Sequence, residues 1–358
     1  MLNYIVIGSG WRSLFYVRIA QAYPEYFHIS ALLCRTEEKA ERIRLQYGIH
    51  TTTSIEECES LSPDLIIVAV NKASICQVTQ EWAMKGYPVL CETPAALTLE
   101  ELNRLWNLSR QGARIQVAEQ YLRYPLFAAS LEAVKQGFLG DPYAVNLSAV
   151  HDYHGASLIR SFLGVGAAEP MKIWGKRYTF PVMETDSRYG PIMDGSVKDR
   201  DRVRITFEFE SGKVGFYDFS GVQYHSKIRS RHLNVQGVNG ELDDFTLRYT
   251  DDRFLPVKEE MEIYRDGEGI RQVALGERIL YQNPFSGLAG ACLMSQDETA
   301  IASLLLDLEK WLKEPQSYGE AYPLASALQD AYTLILMNQA LQNPGQVINS
   351  APQSWQLI

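Results

Sequence analysis

Short apolar runs alternate with segments of helical spacing through the first hundred residues. "NYIVIG" (3 to 8) predicts a buried strand, "GSG" a tight turn, and "SLFYVRIAQAY" (13 to 23), apolar at helical spacing, a helix. "FHISALLC" (27 to 34) then predicts a strand, and "EEKAERIRLQYG" (37 to 48) a helix closed by Gly48. "DLIIVAV" (64 to 70) follows as a buried strand, "SICQVTQEWAMKG" (74 to 86) as a helix ending in glycine, and "YPVLCE" (87 to 92) as another strand. A helix restarts at Thr98, with Glu101 three residues on completing a capping box. Strands alternating with helices imply a parallel, doubly wound sheet.

The turn after the first strand carries the first candidate chemistry. Gly8 permits the bend, and Gly10 lets the backbone approach a pyrophosphate at the helix N-terminus; Ser13 stands where a third glycine would complete the dinucleotide fingerprint. The expected cofactor-binding residues are Gly8, Ser9, Gly10, Trp11 and Arg12, with Val70 and Asn71 after the third of these strands and Glu92, Thr93 and Pro94 after the fourth. After the second strand come Cys34, Arg35 and Thr36, with no carboxylate before Glu37 to hold the ribose hydroxyls of NAD. A guanidinium beside a hydroxyl suits a 2′-phosphate, so NADP is favoured. The alternative is NAD held by backbone groups, with Arg35 a solvated surface charge.

Composition bounds the rest. A chain of 358 residues, 46% apolar and 22% charged, is that of a soluble globular protein long enough for two domains, and no apolar stretch reaches membrane-spanning length. Neither a membrane nor nucleic acid is an expected partner, since the net charge of −9 gives no general field for a polyanion. The five cysteines (Cys34, Cys58, Cys76, Cys91, Cys292) form no paired motif, and no metal-ligand spacing is present, so no metal is expected. With no secretion signal at the N-terminus, a cytoplasmic location is expected. The tail "NPGQVINSAPQSWQLI" is expected to loop back over the surface.

With these elements in hand, the chain resembles the Gfo/Idh/MocA (glucose-fructose oxidoreductase / inositol dehydrogenase) family. The resemblance rests on the N-terminal glycine turn with Arg12, on the strand and helix order through residue 102, and above all on "VLCETPAALTLEEL" (89 to 102). That segment is similar to the family's Glu-Lys-Pro stretch. More weakly, "RITFEFESGKVGFYDFSG" (204 to 221) and "HLNVQGVNGEL" (232 to 242) resemble strands of the family's C-terminal sheet, with "DDRFLPVKEE" following as a loop. Segments 297 to 312 and 328 to 347 resemble its late helices. The resemblance implies an N-terminal Rossmann domain (1–120) and a C-terminal α+β domain (121–358) with an open, mainly antiparallel sheet. That sheet would bind a small-molecule substrate and join the chain into a homodimer or homotetramer. The implied activity is hydride transfer between a dinucleotide and a small polar, carbohydrate-like alcohol, ketone or imine.

Thr93 departs from the pattern, standing where the family has its lysine. A threonine hydroxyl cannot take a proton near neutral pH. The family's other signature, an aspartate four residues before a histidine at a helix start, is matched only in part by "YAVNLSAVHDYHGASLIRSFLG" (143 to 164). There His154 takes the histidine position and Val150 the aspartate's. His154 and, after the third of the predicted strands, Lys72 are the candidate proton-handling residues. Tyr121, Arg123 and Tyr153 are expected substrate contacts, though a structural role for Arg123 in docking the two domains is equally expected. His225, Lys227, Arg229 and Arg231 alternate within 224 to 232, which predicts a strand with one cationic face. The loss of the lysine and aspartate leaves two further readings open. One is a dinucleotide-binding protein without turnover; the other is an enzyme that oxidises and re-reduces one substrate on a retained cofactor.

Overall fold

The computed structural model describes residues 1–187 and 189–356. The chain divides into two compact units, the first formed by residues 1–127, 263–273 and 281–331, the second by 128–262, 274–280 and 332–358.

The first unit is built on six parallel strands: β1 (Leu2–Ile7), β2 (Phe27–Leu33), β3 (Thr51–Thr52), β4 (Leu65–Val68), β5 (Val89–Cys91) and β6 (Ile115–Val117). Their order is β3-β2-β1-β4-β5-β6, the doubly wound arrangement expected from the alternating pattern. β4, β5 and β6 are buried at every position, as strands covered on both faces must be. The connecting helices are α1 (Ser13–Ala22), α2 (Glu37–Tyr47), α3 (Ile55–Ser60), α4 (Ile75–Met84) and α5 (Leu99–Arg110). Gly48 closes α2 in the left-handed conformation (φ 66°), and Thr98 with Glu101 forms the capping box of α5. β3, α3 and β6 were not anticipated, being too short for a periodic signal.

α6 (Pro125–Lys135) carries the chain into the second unit, built on a nine-stranded sheet. Its strands are β7 (Pro142–Ser148), β8 (Met171–Met183), β11 (Val197–Phe209), β12 (Val214–Phe219), β13 (His232–Gly237), β14 (Gly240–Asp243), β15 (Thr246–Thr250), β16 (Pro256–Glu260) and β20 (Ile348–Asn349). They lie in the order β16-β15-β14-β13-β7-β12-β11-β8-β20. Only the β7–β12 pair is parallel. The helix α7 (Asp152–Leu163) packs on this sheet, almost every residue buried. β8 and β11 pair over thirteen residues each; Met171, Ile173, Ile205, Phe207 and Phe209 are core, while the far half is mostly exposed. A small hairpin, β9 (Asp186–Ser187) and β10 (Gly190–Pro191), lies between them in sequence. β17 (Glu262–Asp266), β18 (Gly269–Leu275) and β19 (Arg278–Gln282) form a separate three-stranded sheet. The late helices are α8 (Gln296–Lys313) and α9 (Leu324–Gln342), the latter stopping before Pro344.

Three expectations are corrected. Residues 224–231 are not a strand: a 3₁₀ turn covers Gly221–Tyr224, and β13 begins only at His232. The cations have separate partners, Lys227 at Asp186, Arg229 at the Met183 carbonyl and Arg231 at the Gln223 and Tyr224 carbonyls. Their alternation is therefore not a sheet face. The loop placed at 251–260 contains β16, which pairs with β15. The tail is corrected only in part: most of it runs exposed, but β20 extends the sheet beside β8 and Trp355 is fully buried against Tyr332.

Among the described residues no helix is long and apolar enough to cross a membrane.

Candidate active site

The carboxyl ends of β1, β2 and β4 open into one groove of ≈ 560 Å³. It is lined by Gly8, Ser9, Gly10, Trp11, Arg12, Cys34, Arg35, Val70 and Asn71, which brings together nine of the thirteen residues expected to touch a cofactor. Lys39, in the first turn of α2, also lines it and was missed by sequence, because a lysine on an exposed helix face carries no distinguishing pattern. Backbone geometry explains the glycines. Gly8 has φ +121°, and a Cβ there would stand 2.4 Å from the Ala69 carbonyl oxygen. At Gly10 nothing lies within 4 Å of a Cβ, so this stretch of backbone is open to close approach. Ser13 is fully buried, its hydroxyl donating to the Ala69 carbonyl at 3.3 Å, which ties the start of α1 to the end of β4. α1 has no side-chain cap and no acidic residue in its first turn, so its amides suit an anion.

At the β2 end, Arg35 and Lys39 are exposed beside the start of α2. Thr36 is the N-cap of that helix, its hydroxyl accepting from the Lys39 N–H at 3.4 Å, and it does not line the groove. Glu37 and Glu38 share this first turn, but the Glu37 carboxylate is bonded by the Thr53 hydroxyl. Burial pushes the Cys34 thiol up, partly offset by a hydrogen bond with Ser9. Asn71 has a structural task too, its side chain accepting from the Ser74 N–H (3.1 Å) and hydroxyl (3.2 Å) at the start of α4. Lys72 is exposed and lies outside the groove lining.

The Glu-Thr-Pro step sits at the end of β5, with a cis bond between Thr93 and Pro94. Glu92 is 7% exposed and accepts from the Tyr16 hydroxyl at 2.7 Å, with Arg12 Nε at 3.7 Å. Burial raises the Glu92 carboxyl above the usual carboxylate range, opposed by Arg12 and Tyr16. Arg12 also reaches Asp297 at 3.4 Å and lies over the rings of Trp11 and Phe15, so it joins β5 and α8 through charge while forming one wall of the groove. Beyond β6, Glu119 is buried and its carboxyl is pushed up to about 8 by burial, despite accepting from the Tyr121 N–H at 2.9 Å. Tyr121 is buried and stacks on Tyr124. Arg123 gives its guanidinium to Asp307 (2.6 Å), the Ser303 hydroxyl (3.3 Å) and the Ala321 carbonyl (2.9 Å), all within the first unit, so these bonds are a strut inside that unit.

The remaining candidates lie in the second unit. His154 is inside α7 and only 3% exposed, with Tyr153, equally buried, edge-on to its ring. The histidine at the start of the helix is His151, the N-cap residue, half-buried, with its ring edge-on to His154. Its Nδ1 lies 2.5 Å from the Tyr224 hydroxyl, which also accepts from the His151 N–H at 2.8 Å. The sequence reading missed His151 because the shortened junction between β7 and α7 shifts the helix start relative to the motif.

Residues 2–119 match the model of an oxidoreductase family with an NAD-binding Rossmann fold, GFO_IDH_MocA. The match covers about a third of the chain, the segment that holds the glycine turn and the Glu-Thr-Pro step. Sequence comparison with curated proteins finds no match. Solved Gfo/Idh/MocA-type structures share the fold over nearly the whole chain. An NAD binding oxidoreductase from Klebsiella pneumoniae has a TM-score of 0.68 at 16% identity, covering 98% of this chain and 100% of that one. An Agrobacterium radiobacter oxidoreductase in complex with NAD⁺, L-tartaric acid and magnesium has a TM-score of 0.68 at 13% identity, covering 97% and 98%. Biliverdin reductase from Synechocystis, in complex with biliverdin and NADP⁺, has 0.62 at 12% identity, covering 95% and 99%.

Proposed function

We propose that the chain is an NAD(P)-dependent oxidoreductase, favouring NADP, that transfers a hydride to or from a small polar, carbohydrate-like alcohol, ketone or imine. The groove carries this reading: an open glycine backbone and an uncapped helix start at one end, Arg35 and Lys39 at the other. The fit to a dinucleotide is chemical as well as steric, since the glycine backbone and α1 amides suit a pyrophosphate and the two cations suit a 2′-phosphate. The dinucleotide, when bound, supplies the hydride-exchanging ring. The proton role falls to His151, whose imidazole is partly exposed at the start of α7. Buried His154 and Tyr153 support it from behind, and Lys72, exposed outside the groove, is the second candidate for the proton. The outer face of the nine-stranded sheet, with Trp174, Tyr178 and Phe216 around a ≈ 460 Å³ groove, serves as the contact of a homodimer or homotetramer. Sedimentation of the purified chain tests that part.

The deciding experiment is a fluorescence titration with NADPH and with NADH, on the wild type and on Arg35→Ala. A preference for NADPH that collapses in the variant supports the reading. Equal or NADH-favouring affinity, unchanged by the substitution, overturns the NADP preference, and no binding of either overturns the cofactor site.

The second reading is a dinucleotide-binding protein without turnover, and Thr93 in the family's lysine position favours it. Stereospecific exchange of label between NADPH and any sugar, polyol or keto compound would exclude it.

A further inference from the structure

Arg12 stands two residues past Gly10, in the turn where a pyrophosphate would meet the backbone, and it lines the groove. An arginine in that place suits a phosphate ligand, since a guanidinium pairs with phosphate through two parallel hydrogen bonds. Its surroundings direct the charge elsewhere.

Each of its three nitrogens faces a protein group of the first unit. Nε lies 3.7 Å from Glu92 Oε1 at the end of β5, and Nη1 lies 3.4 Å from Asp297 Oδ1 in the first turn of α8. Gln120, oriented so that its amide nitrogen donates to the Ala118 carbonyl (2.7 Å), turns its oxygen to Nη2 at 3.2 Å. The rings of Trp11 and Phe15 lie 5.2 and 4.8 Å from the guanidinium carbon. One cation therefore sits between two carboxylates, with its side chain 24% exposed.

The two carboxylates hold it in different ways. Glu92 is buried and also accepts from the Tyr16 hydroxyl at 2.7 Å, so it is fixed at the end of the sheet. Asp297 is 22% exposed and comes from 285 residues further along the chain. It takes Nη1, one of the two terminal nitrogens that a bidentate phosphate contact needs. Without Asp297, Nε can stay with Glu92 while the terminal nitrogens turn to the groove. With it, a phosphate must displace an acid to be met. The pyrophosphate is left to the glycine backbone and the α1 amides.

We propose that Asp297 is a positioning residue that withholds Arg12 from the pyrophosphate and so keeps the dinucleotide exchangeable. This rests on the reading of the groove as a dinucleotide site. NADP(H) is then a partner that arrives and leaves, and not a group retained between reactions.

Removing the carboxylate separates this role from a structural one, because losing a strut weakens binding whereas releasing a cation strengthens it. Asp297→Ala is expected to bind NADPH and NADH about tenfold more tightly, by the same factor because both contain the pyrophosphate, and chiefly through slower dissociation. The double variant Arg12→Gln/Asp297→Ala is expected to return to within about twofold of the wild type. Fluorescence titration and stopped-flow displacement measure these effects, with thermal melts confirming that each variant is folded. Unchanged or weaker binding by folded Asp297→Ala overturns the proposal. So does a double variant as tight as Asp297→Ala, which traces the gain to the loss of the carboxylate's own field. A gain for NADPH alone places the released cation at the 2′-phosphate and overturns it as well. Should Asp297→Ala not fold, Asp297→Asn is read in its place, with the same sign and a gain of about threefold, because it keeps the shape and removes the charge. A wild type that binds neither dinucleotide overturns the cofactor reading and the role of Asp297 with it, whereas binding in the wrong order overturns the role of Asp297 alone.

Discussion

Gly155 faces the ring of Tyr217 so closely that a Cβ on it would stand 2.5 Å from Cε2. Glycine inside a helix costs about 0.5–1 kcal/mol relative to alanine, so it is kept here for the ring that passes beside it. Gly155→Ala is therefore expected to destabilise by roughly 1–3 kcal/mol, against the helix propensity, because the core must open to admit the methyl group. Denaturant unfolding measures it; a more stable variant would sink this account of the β7–α7 junction.

The two glycines of the first turn are expected to fail differently. Gly8→Ala meets the Ala69 carbonyl at 2.4 Å in a backbone region closed to alanine, and a loss of stability well above 1 kcal/mol is expected. Gly10→Ala meets nothing within 4 Å, so stability stays within about 0.5 kcal/mol while dinucleotide affinity drops. Thermal melts paired with NADPH titrations separate the two effects. Unaltered NADPH affinity in Gly10→Ala would mean that the pyrophosphate lies elsewhere.

Lys39 shares the β2 end of the groove with Arg35. Lys39→Ala is expected to weaken NADPH binding about tenfold, close to 1.4 kcal/mol, and to leave NADH binding unchanged. Equal losses for both dinucleotides would assign Lys39 to a part of the cofactor that NAD and NADP have in common.

Glu119 gives the first unit a pH dependence of known sign. Its folded carboxyl titrates at about 8, above the ordinary value of 4.5. The folded state then holds a proton that the unfolded state has released. Its stability contribution is complete below 4.5 and is lost as pH rises toward 8, by up to about 1.4 kcal/mol per pH unit. Glu119→Gln keeps the oxygen that accepts from Tyr121 and removes the proton. Its melting temperature is expected to change less than the wild type's between pH 5 and about 8. Parallel profiles would show that Glu119 ionises at its ordinary value.

The first unit was legible because strands buried on both faces write uninterrupted apolar runs, as at Ile5–Ile7 and Leu65–Val68. The glycine turn was legible because Gly8 answers a backbone constraint that one residue type satisfies. The second unit wrote a weaker record. The outer half of the β8–β11 pair, "VKDRDRVR" in its second strand, lies outside the core and shows no apolar alternation. The contact of His151 with Tyr224 was invisible because the two lie 73 residues apart, a distance that no local pattern spans. Arg123 read equally well as a substrate clamp or a strut until its three partners on and after α8 were in view.

The core beneath the six-stranded sheet is completed by residues far along the chain: Phe285 stacks on Tyr23 at 4.1 Å, and Ile301, Leu304, Leu305 and Leu308 of α8 join Phe15, Tyr16 and Ile19 of α1. On a ribosome, the nucleotide-binding half therefore waits, with that apolar flank uncovered, until more than three hundred residues have been made. The intervening stretch 128–262, which holds most of the second unit, emerges whole before then and is free to fold first. The residues from 332 on, with β20 and Trp355, complete that second unit last, and a fragment ending after β6 carries the fingerprint of a dinucleotide fold without the helix that seals it.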